Sequence, residues 1–146
     1  MSDLSVTVLD RLTDDLVKDV NRLIPQLGKE TTEAPADHLE RVVRAESNTV
    51  LAVRIGGQVV GLLTLVVMVL PTGVTGRLED VVVDEEHRSR GVGRALVEEA
   101  LREAHRRGAR EVDLTSRPSR VAAHRLYEKV GFARRETGVF RYRLRP

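Results

Sequence analysis

The sequence contains no cysteine and no tryptophan, and aromatic residues make up only 3% of its 146 residues. Without cysteine, the chain can form neither a disulfide framework nor a thiolate metal site, and it has no cysteine nucleophile. The core must therefore be built mainly from valine, leucine and alanine. No basic run is interleaved with aromatic rings for stacking on bases, so we expect no nucleic acid partner.

Long hydrophobic runs and an excess of one charge are also missing. The longest apolar run, residues 59–70, is too short to span a bilayer and is interrupted by Gly61 and Thr64. The first residues lack the basic-then-apolar pattern of a signal peptide. The net charge is only +2, from 24 basic and 22 acidic side chains. We therefore expect a cytoplasmic protein without a membrane partner, formed by one domain over residues 1–146.

What the sequence does contain is a regular succession of hydrophobic patterns. Helical spacing, with Thr13 as a cap and Gly28 as a stop, predicts a first helix between those two residues, and three more are expected at 35–46, 92–107 and 119–130. Apolar stretches bounded by turn residues predict strands at 4–9, 49–55, 58–70, 77–84, 111–115, 132–136 and 139–144. Together these elements indicate an α+β domain.

A glycine-containing turn between an apolar strand and an amphipathic helix is the segment most suited to chemistry. The first backbone amides of a helix lack intrahelical partners, and the helix dipole adds positive charge there. Gly91 and Gly93 leave little side chain between these amides and a phosphate. Arg88, Arg90 and Arg94 put three cations where acidic residues are ordinarily favoured. The segment therefore predicts an anion-binding helix start.

Two other interpretations of this segment are weaker. In the first, the helix start is solvated and the two glycines only allow the chain to turn. The preceding apolar strand and the three arginines instead favour a bound anion. A dinucleotide-binding loop fits less well, because the third glycine is missing and no acidic residue is suitably placed after the next strand.

Two motifs resemble the signatures of the Gcn5-related N-acetyltransferase (GNAT) family. The first signature is Gln or Arg, two residues, Gly, one residue, then Gly or Ala, and Arg88, Gly91 and Gly93 match it. The second lies further along the chain, and the residues that match it are Ala123, Leu126, Tyr127, Gly131 and Phe132. Ser89 stands where the family commonly has glycine, and Arg120 stands where many members have asparagine.

The resemblance implies a fold and a cofactor site. The fold is an α/β/α sandwich with about four helices and a mixed, mostly antiparallel sheet of about seven strands, splayed between strands 4 and 5. Acetyl-CoA would enter that gap, with its pantetheine arm along the backbone of Val81 and Val83 on either side of Val82. Arg120 would be a further cofactor contact. The pyrophosphate would meet the backbone of Arg88, Ser89, Arg90, Gly91, Val92, Gly93 and Arg94.

The resemblance also implies direct transfer of the acetyl group to an amine. Tyr127 would protonate the leaving thiolate, although it could instead only pack beneath the cap at Gly131. Glu79, Asp80 or a water chain would act as the base. Side chains alternate along the strand, so only one of the two carboxylates can point into the cleft unless a bulge intervenes, and Glu79 is expected to share the face of Val81 and Val83. Either carboxylate could instead pair with Arg77 or an exposed lysine.

The expected activity is an acetyl-CoA-dependent N-acetyltransferase for a primary amine of a small molecule, peptide or protein. The alternative is a catalytically silent, acetyl-CoA-binding regulatory domain of the same fold. The resemblance also allows a homodimer. We expect no metal, because the four histidines lack ligand spacing; they are His38, His87, His105 and His124.

Overall fold

The computed structural model describes residues 4–145, and the chain separates into two compact units, Met1–Thr115 and Ser116–Pro146. The single domain expected over residues 1–146 stays a prediction. No helix among the described residues is both long and apolar enough to cross a membrane.

The first unit is built on a five-stranded sheet whose strands lie in chain order. The first three pairs of neighbouring strands are antiparallel, and the last pair is parallel. The mixed, mostly antiparallel sheet confirms the predicted fold class. The strands are β1 (Val6–Val8), β2 (Asn48–Ile55), β3 (Gln58–Leu70), β4 (Gly73–Val83) and β5 (Val112–Asp113).

The described residues of this unit, 4–115, also form three α-helices and two short 3₁₀ turns. The Thr13 hydroxyl accepts a hydrogen bond from the Leu16 amide at 3.1 Å, so it caps the first helix as predicted. Gly28, with φ of 70°, ends the turn that follows this helix. The elements are α1 (Asp14–Leu23), a 3₁₀ turn (Ile24–Leu27), α2 (Ala36–Arg44), a second 3₁₀ turn (Glu85–His87) and α3 (Val92–Arg106).

Helices cover both faces of the sheet. On one face, side chains of α1 and α2 join a core cluster with alternate strand residues, among them Val50 and Leu62. On the other face, α3 buries Val92, Leu96 and Val97. The two faces together give the predicted α/β/α layering, and α3 holds the glycine turn against the sheet.

Two predicted connections differ from the structure. Residues 71–76 were expected to form a loop, but β4 already begins at Gly73 because Leu70 pairs with Gly73. The strand expected at 111–115 is shorter, since only Val112 and Asp113 pair with β4. The length of a strand depends on the neighbouring strand with which it pairs, and the local sequence pattern does not show which residues will pair.

The second unit contains α4 (Val121–Val130), which begins two residues later than predicted and stops at Gly131. The Phe132 amide binds the Tyr127 carbonyl at 2.9 Å, and the two rings meet edge to face at 5.8 Å. The chain after Gly131 therefore folds back onto the last turn of α4, as is typical of such a helix end.

The two strands predicted at 132–136 and 139–144 are wrong. Within the described residues they are not strands, so the sheet has five strands rather than about seven. The alternation of Phe140, Tyr142 and Leu144 with arginines suggested a strand, but these three side chains are almost fully exposed. Alternation becomes a strand only where a partner backbone supplies hydrogen bonds.

Candidate functional site

The glycine loop, defined here as residues 88–93, leads directly into α3. Gly91 adopts φ of 83° and occupies the position before the first helical residue. No side chain among residues 4–145 caps this helix. The first amides of α3, those of Val92, Gly93 and Arg94, therefore point outwards without an intrahelical acceptor, as an anion-binding helix start requires.

The three arginines predicted around this helix start, Arg88, Arg90 and Arg94, lie in different environments. Arg88 turns back, and its Nε donates to the Val83 carbonyl at 3.3 Å. Arg94 lies on the first turn of α3, with Nε 3.5 Å from an oxygen of Glu98, four residues on. Arg90 is exposed. Arg88 thus fastens the loop to β4, while Arg90 and Arg94 add positive charge at its surface.

The strand before the loop has an open edge. β5 pairs with β4 only at Gly76 and Arg77, so residues 78–83 have no strand neighbour on that side within the described part of the chain. The Asp84 amide binds Val60 on β3 at 2.8 Å. Because backbone groups alternate in direction along a strand, those of Val83 face the open edge. This is the splay that was predicted between strands 4 and 5.

The helix start is seated on the sheet by a glycine. A Cβ atom at Gly61 would lie 2.6 Å from Cγ1 of Val92 and 3.0 Å from Cδ1 of Leu96. Only glycine therefore allows α3 to approach β3 this closely. The sequence interpretation treated Gly61 only as an interruption of an apolar run. A glycine inside a long strand is the signal that could have indicated a close helix contact.

Asp84 is a further residue that the sequence interpretation did not single out. It is buried directly after β4, and its carboxylate forms an ion pair with Arg22 of α1. The same carboxylate accepts a hydrogen bond from the Glu86 amide at 3.4 Å and one from Gln26 at 3.5 Å. A signal was present, because an aspartate just before a short turn commonly binds the amide two residues on.

The pKa of the Asp84 carboxyl is lower than its ordinary value. Burial raises this pKa, but hydrogen bonds from the Glu86 amide, Arg22 and Gln26, together with the charge of Arg22, outweigh the effect of burial. Asp84 is therefore ionised at neutral pH and acts as a fixed anion behind the glycine loop.

The candidate bases lie at a bulge in β4. Leu62 pairs with Val82, whereas Thr64 pairs with Glu79, so β4 carries one residue more than β3 in this interval. Asp80 lies within the bulge and has φ of 51°. The extra residue reverses the alternation, which puts Glu79 on the face of Val82, with α1 and α2.

The expectation that Glu79 shares the face of Val83 is therefore wrong. Val83 pairs with Gly61, on the face that α3 covers. Both carboxylates also have partners. Glu79 lies 3.2 Å from Nη2 of Arg77, and Asp80 forms an ion pair with Lys29. The ion-pair interpretation is confirmed for both carboxylates.

In the second unit, Tyr127 lies on α4 in contact with Phe132. Burial raises the pKa of the Tyr127 hydroxyl, and the nearby charge of Arg120 lowers it less. The hydroxyl therefore stays protonated at neutral pH, as a proton donor must. Arg120 precedes the first residue of α4.

No group of three or more His, Cys, Asp or Glu side chains among residues 4–145 is arranged to hold a metal ion. Comparison with family models matches residues 13–132 to the acetyltransferase (GNAT) family.

The chain belongs to the acetyltransferase (GNAT) family.

Solved structures share this GNAT fold over nearly the whole chain. A Trypanosoma brucei acetyltransferase is 26% identical, with a TM-score of 0.76, and the match covers 97% of this chain and 100% of that one. An aminoglycoside acetyltransferase from an uncultured soil metagenomic sample, in complex with trehalose, is 21% identical with a TM-score of 0.84 and 97% coverage of both chains.

AAC(6')-Iy, in complex with the bisubstrate analogue CoA-S-monomethyl-acetylneamine, is 21% identical with a TM-score of 0.76, and the match covers 99% of this chain and 100% of that one. A search of curated proteins finds no match.

The GNAT signature explains the backbone at Ser89. The family commonly has glycine at this position, and Ser89 adopts φ of 65°, in the left-handed region that favours glycine. The residue differs from the signature, but its backbone conformation is one that glycine adopts readily. Gly91, two residues on, has φ of 83°.

Proposed function

We propose that this protein is an acetyl-CoA-dependent N-acetyltransferase that transfers the acetyl group directly to a primary amine. The observation that carries the proposal is the uncapped start of α3, with the amides of Val92, Gly93 and Arg94 next to two loop residues in left-handed conformations. These features suit a pyrophosphate. Membership of the GNAT family supports acetyl-CoA as its source.

Each predicted site residue has a role in this proposal. The backbone of Val81 to Val83, at the open edge of β4, would pair with the amides of the pantetheine arm. The loop from Arg88 to Arg94 would hold the pyrophosphate, with Ser89 and Arg90 at its surface. Arg120 is proposed as a further contact to the cofactor.

Two proton transfers accompany the reaction. Acetyl-CoA supplies the acetyl group as a thioester, so a C–N bond forms to the acceptor amine while the C–S bond breaks. We assign Tyr127 to protonate the departing sulfur, which its raised pKa permits. Glu79, Asp80 or a water chain would take the proton from the amine. Glu79 is paired with Arg77, and Asp80 is paired with Lys29. To act as the base, either carboxylate would have to leave its ion pair and bind the amine.

The acceptor is proposed to be a small molecule or a peptide or protein amine. The similarity to an aminoglycoside acetyltransferase, and to AAC(6')-Iy with its bound CoA bisubstrate analogue, supports the small-molecule case. Action in the cytoplasm and a homodimer stay predictions.

Acetyl-CoA titration by calorimetry, followed by an amine panel in a thiol-release assay, tests the proposal. We expect micromolar binding and thiol release with at least one amine. Tight binding without turnover on any amine would instead support the silent regulatory domain. Absence of binding would contradict both.

Replacement of Gly91 by valine tests the placement of the phosphate. A branched side chain would occupy the approach to the α3 amides, so we expect Gly91→Val to abolish acetyl-CoA binding. Gly108 is a matched control at the other end of α3, because its φ of 86° is nearly the same and a Cβ there meets no atom within 4 Å. Gly108→Val should bind acetyl-CoA normally. Unchanged affinity of Gly91→Val would overturn the placement.

A further inference from the structure

The turn that leads into the glycine loop, residues 85–87, is organised by one buried residue, Asp84. The Asp84 amide donates to the Val60 carbonyl, and the Asp84 carbonyl accepts from the His87 amide, both at 2.8 Å. Its carboxylate also accepts from the Glu86 amide. Backbone and side chain of one residue therefore determine both where β4 ends and how the chain turns towards Arg88.

Arg22 of α1 forms an ion pair with the Asp84 carboxylate. One guanidinium nitrogen binds Asp84, and another donates to the Val59 carbonyl at 2.6 Å. The neighbouring Asp19 accepts the Val59 amide at 3.0 Å. Through Arg22, α1 thus connects the first residues of β3 to Asp84, the residue that follows β4.

Gln26 adds a second connection one helical turn further along. Its side-chain oxygen accepts the Glu85 amide at 2.9 Å, and its nitrogen lies 3.5 Å from the Asp84 carboxylate. Arg22 and Gln26 therefore hold Asp84 and Glu85, at the turn that precedes the loop, with side chains from a different part of the chain. The other end of the loop is fixed where Val92 packs on Gly61.

None of these side chains belongs to the predicted phosphate contacts. Their effect on an anion would be indirect, through the position of the amides and of Arg88, whose Nε reaches Val83 next to Asp84. Hydrogen bonds weaken steeply when the donor angle departs from linearity, so a small rotation of the loop would cost several contacts at once.

We propose that Asp84 and Arg22 form a positioning pair that holds the glycine loop in the geometry needed for the acetyl-CoA pyrophosphate. The inference rests on the proposed function, because it assumes that the loop binds that group. It assigns to α1 a role in cofactor affinity beyond its contribution to the core.

Calorimetry with acetyl-CoA on the full chain tests the pair. Asp84→Asn and Arg22→Met should each weaken binding roughly 10- to 100-fold, as misplacement of a binding group by about 1 Å does. The two changes together should cost little more than one, since they remove the same interaction. Arg22→Lys keeps the charge but lacks the planar fork that reaches Asp84 and the Val59 carbonyl together, so it should recover only part of the affinity lost by Arg22→Met.

Kinetics and a stability control distinguish positioning from general destabilisation. The KM for acetyl-CoA should rise while kcat at saturation changes little. Leu39→Ala, in the core on α2, should lower the melting temperature comparably and leave the dissociation constant unchanged. All titrations are made well below the lowest melting temperature. Equal weakening by Leu39→Ala, or an Asp84→Asn affinity within twofold of wild type, would overturn the proposal.

Hydrogen exchange without ligand gives a readout that does not depend on the proposed function. Asp84→Asn should speed exchange at residues 85–91 and leave the centre of β3 unchanged. Unchanged exchange in the loop would overturn the inference even if wild-type protein binds acetyl-CoA. Failure of the wild type to bind would overturn the proposed function, and the positioning role with it.

Discussion

Ser89 departs from the family signature at a position whose backbone conformation favours glycine. Its φ of 65° places a side chain where the left-handed conformation costs an L-residue free energy, whereas glycine adopts it readily. The loop tolerates this cost because both of its ends are held, by Asp84 and by the contact of Val92 with Gly61.

Ser89→Gly should raise the free energy of unfolding by roughly 0.5–1 kcal/mol, because relief of the left-handed strain exceeds the added entropy of the unfolded chain. Chemical denaturation measures the change. Ser47→Gly is the matched control, since Ser47 lies in a turn with ordinary φ, and it should not stabilise the protein. Equal effects of the two substitutions would contradict the strain argument.

Tyr127→Phe should lower kcat roughly 10- to 100-fold and change the KM for acetyl-CoA little, because the variant lacks the proton donor but keeps the ring on Phe132. Steady-state kinetics measure both parameters. The matched control is Tyr142→Phe, because the side chain of Tyr142 is 87% exposed. A wild-type rate for Tyr127→Phe would leave Tyr127 with a packing role alone.

At the scale of elements, α3 carries both the loop and the contact that orients it. The helical stripe and the glycines predicted α3 and its first residue correctly, because capping and periodicity are local properties. The bulge in β4 was not predictable from the same pattern. It depends on the register between β3 and β4, and a single extra residue moved Glu79 to the opposite face.

Gly61→Ala should destabilise the protein by roughly 1–3 kcal/mol and weaken acetyl-CoA binding, because the added methyl group would push the start of α3 away from β3. Calorimetry and denaturation measure the two effects. Gly138→Ala is the control, since a Cβ there makes only an ordinary contact at 3.5 Å.

The cause of this effect can be checked by removing the opposing group. Val92→Ala deletes the methyl group that would lie 2.6 Å from a Cβ atom at position 61, so the double variant should recover part of the affinity lost by Gly61→Ala. Strictly additive losses would show that the contact between Gly61 and Val92 does not position the helix.

At the scale of the whole molecule, two buried or partly buried carboxylates make stability depend on acid pH. Burial raises the pKa of Glu99, but hydrogen bonds from Arg102 and Arg106 lower it by more. Burial likewise raises the pKa of Asp84, and hydrogen bonds from the Glu86 amide, Arg22 and Gln26 lower it by more. A group with a depressed folded pKa stabilises the protein above its unfolded pKa. That stabilisation is lost as pH falls through the folded pKa.

We therefore expect the free energy of unfolding to decrease as pH falls below about 4, the ordinary range of these carboxyls. Asp84→Asn should cost roughly 2–3 kcal/mol at neutral pH, because Arg22 loses its charged partner, and much less at pH 2. Denaturation at a series of pH values measures both. The same cost at pH 2 and pH 7 would contradict a role for the Asp84 charge.

The sequence by itself determined the helices α1 to α4 and the glycine loop. Gly91 and Gly93 and the arginines around them are contiguous, so their chemistry could be recognised without knowing any long-range contact. The bounds of β3 were predicted to the residue, since Gly57 before it and Pro71 after it mark its ends.

Only the tertiary structure decided which residues support the loop and which strands form. Asp84 and Arg22 are 62 positions apart in the sequence, so no local sequence pattern can predict that they form an ion pair. The alternation of apolar and basic residues at 139–144 is a local pattern that predicted a strand. A strand also needs a partner strand, and no strand in the part of the chain that the structure describes pairs with these residues. Periodicity and capping act within a few residues, whereas burial and strand register depend on elements that meet only in the folded chain.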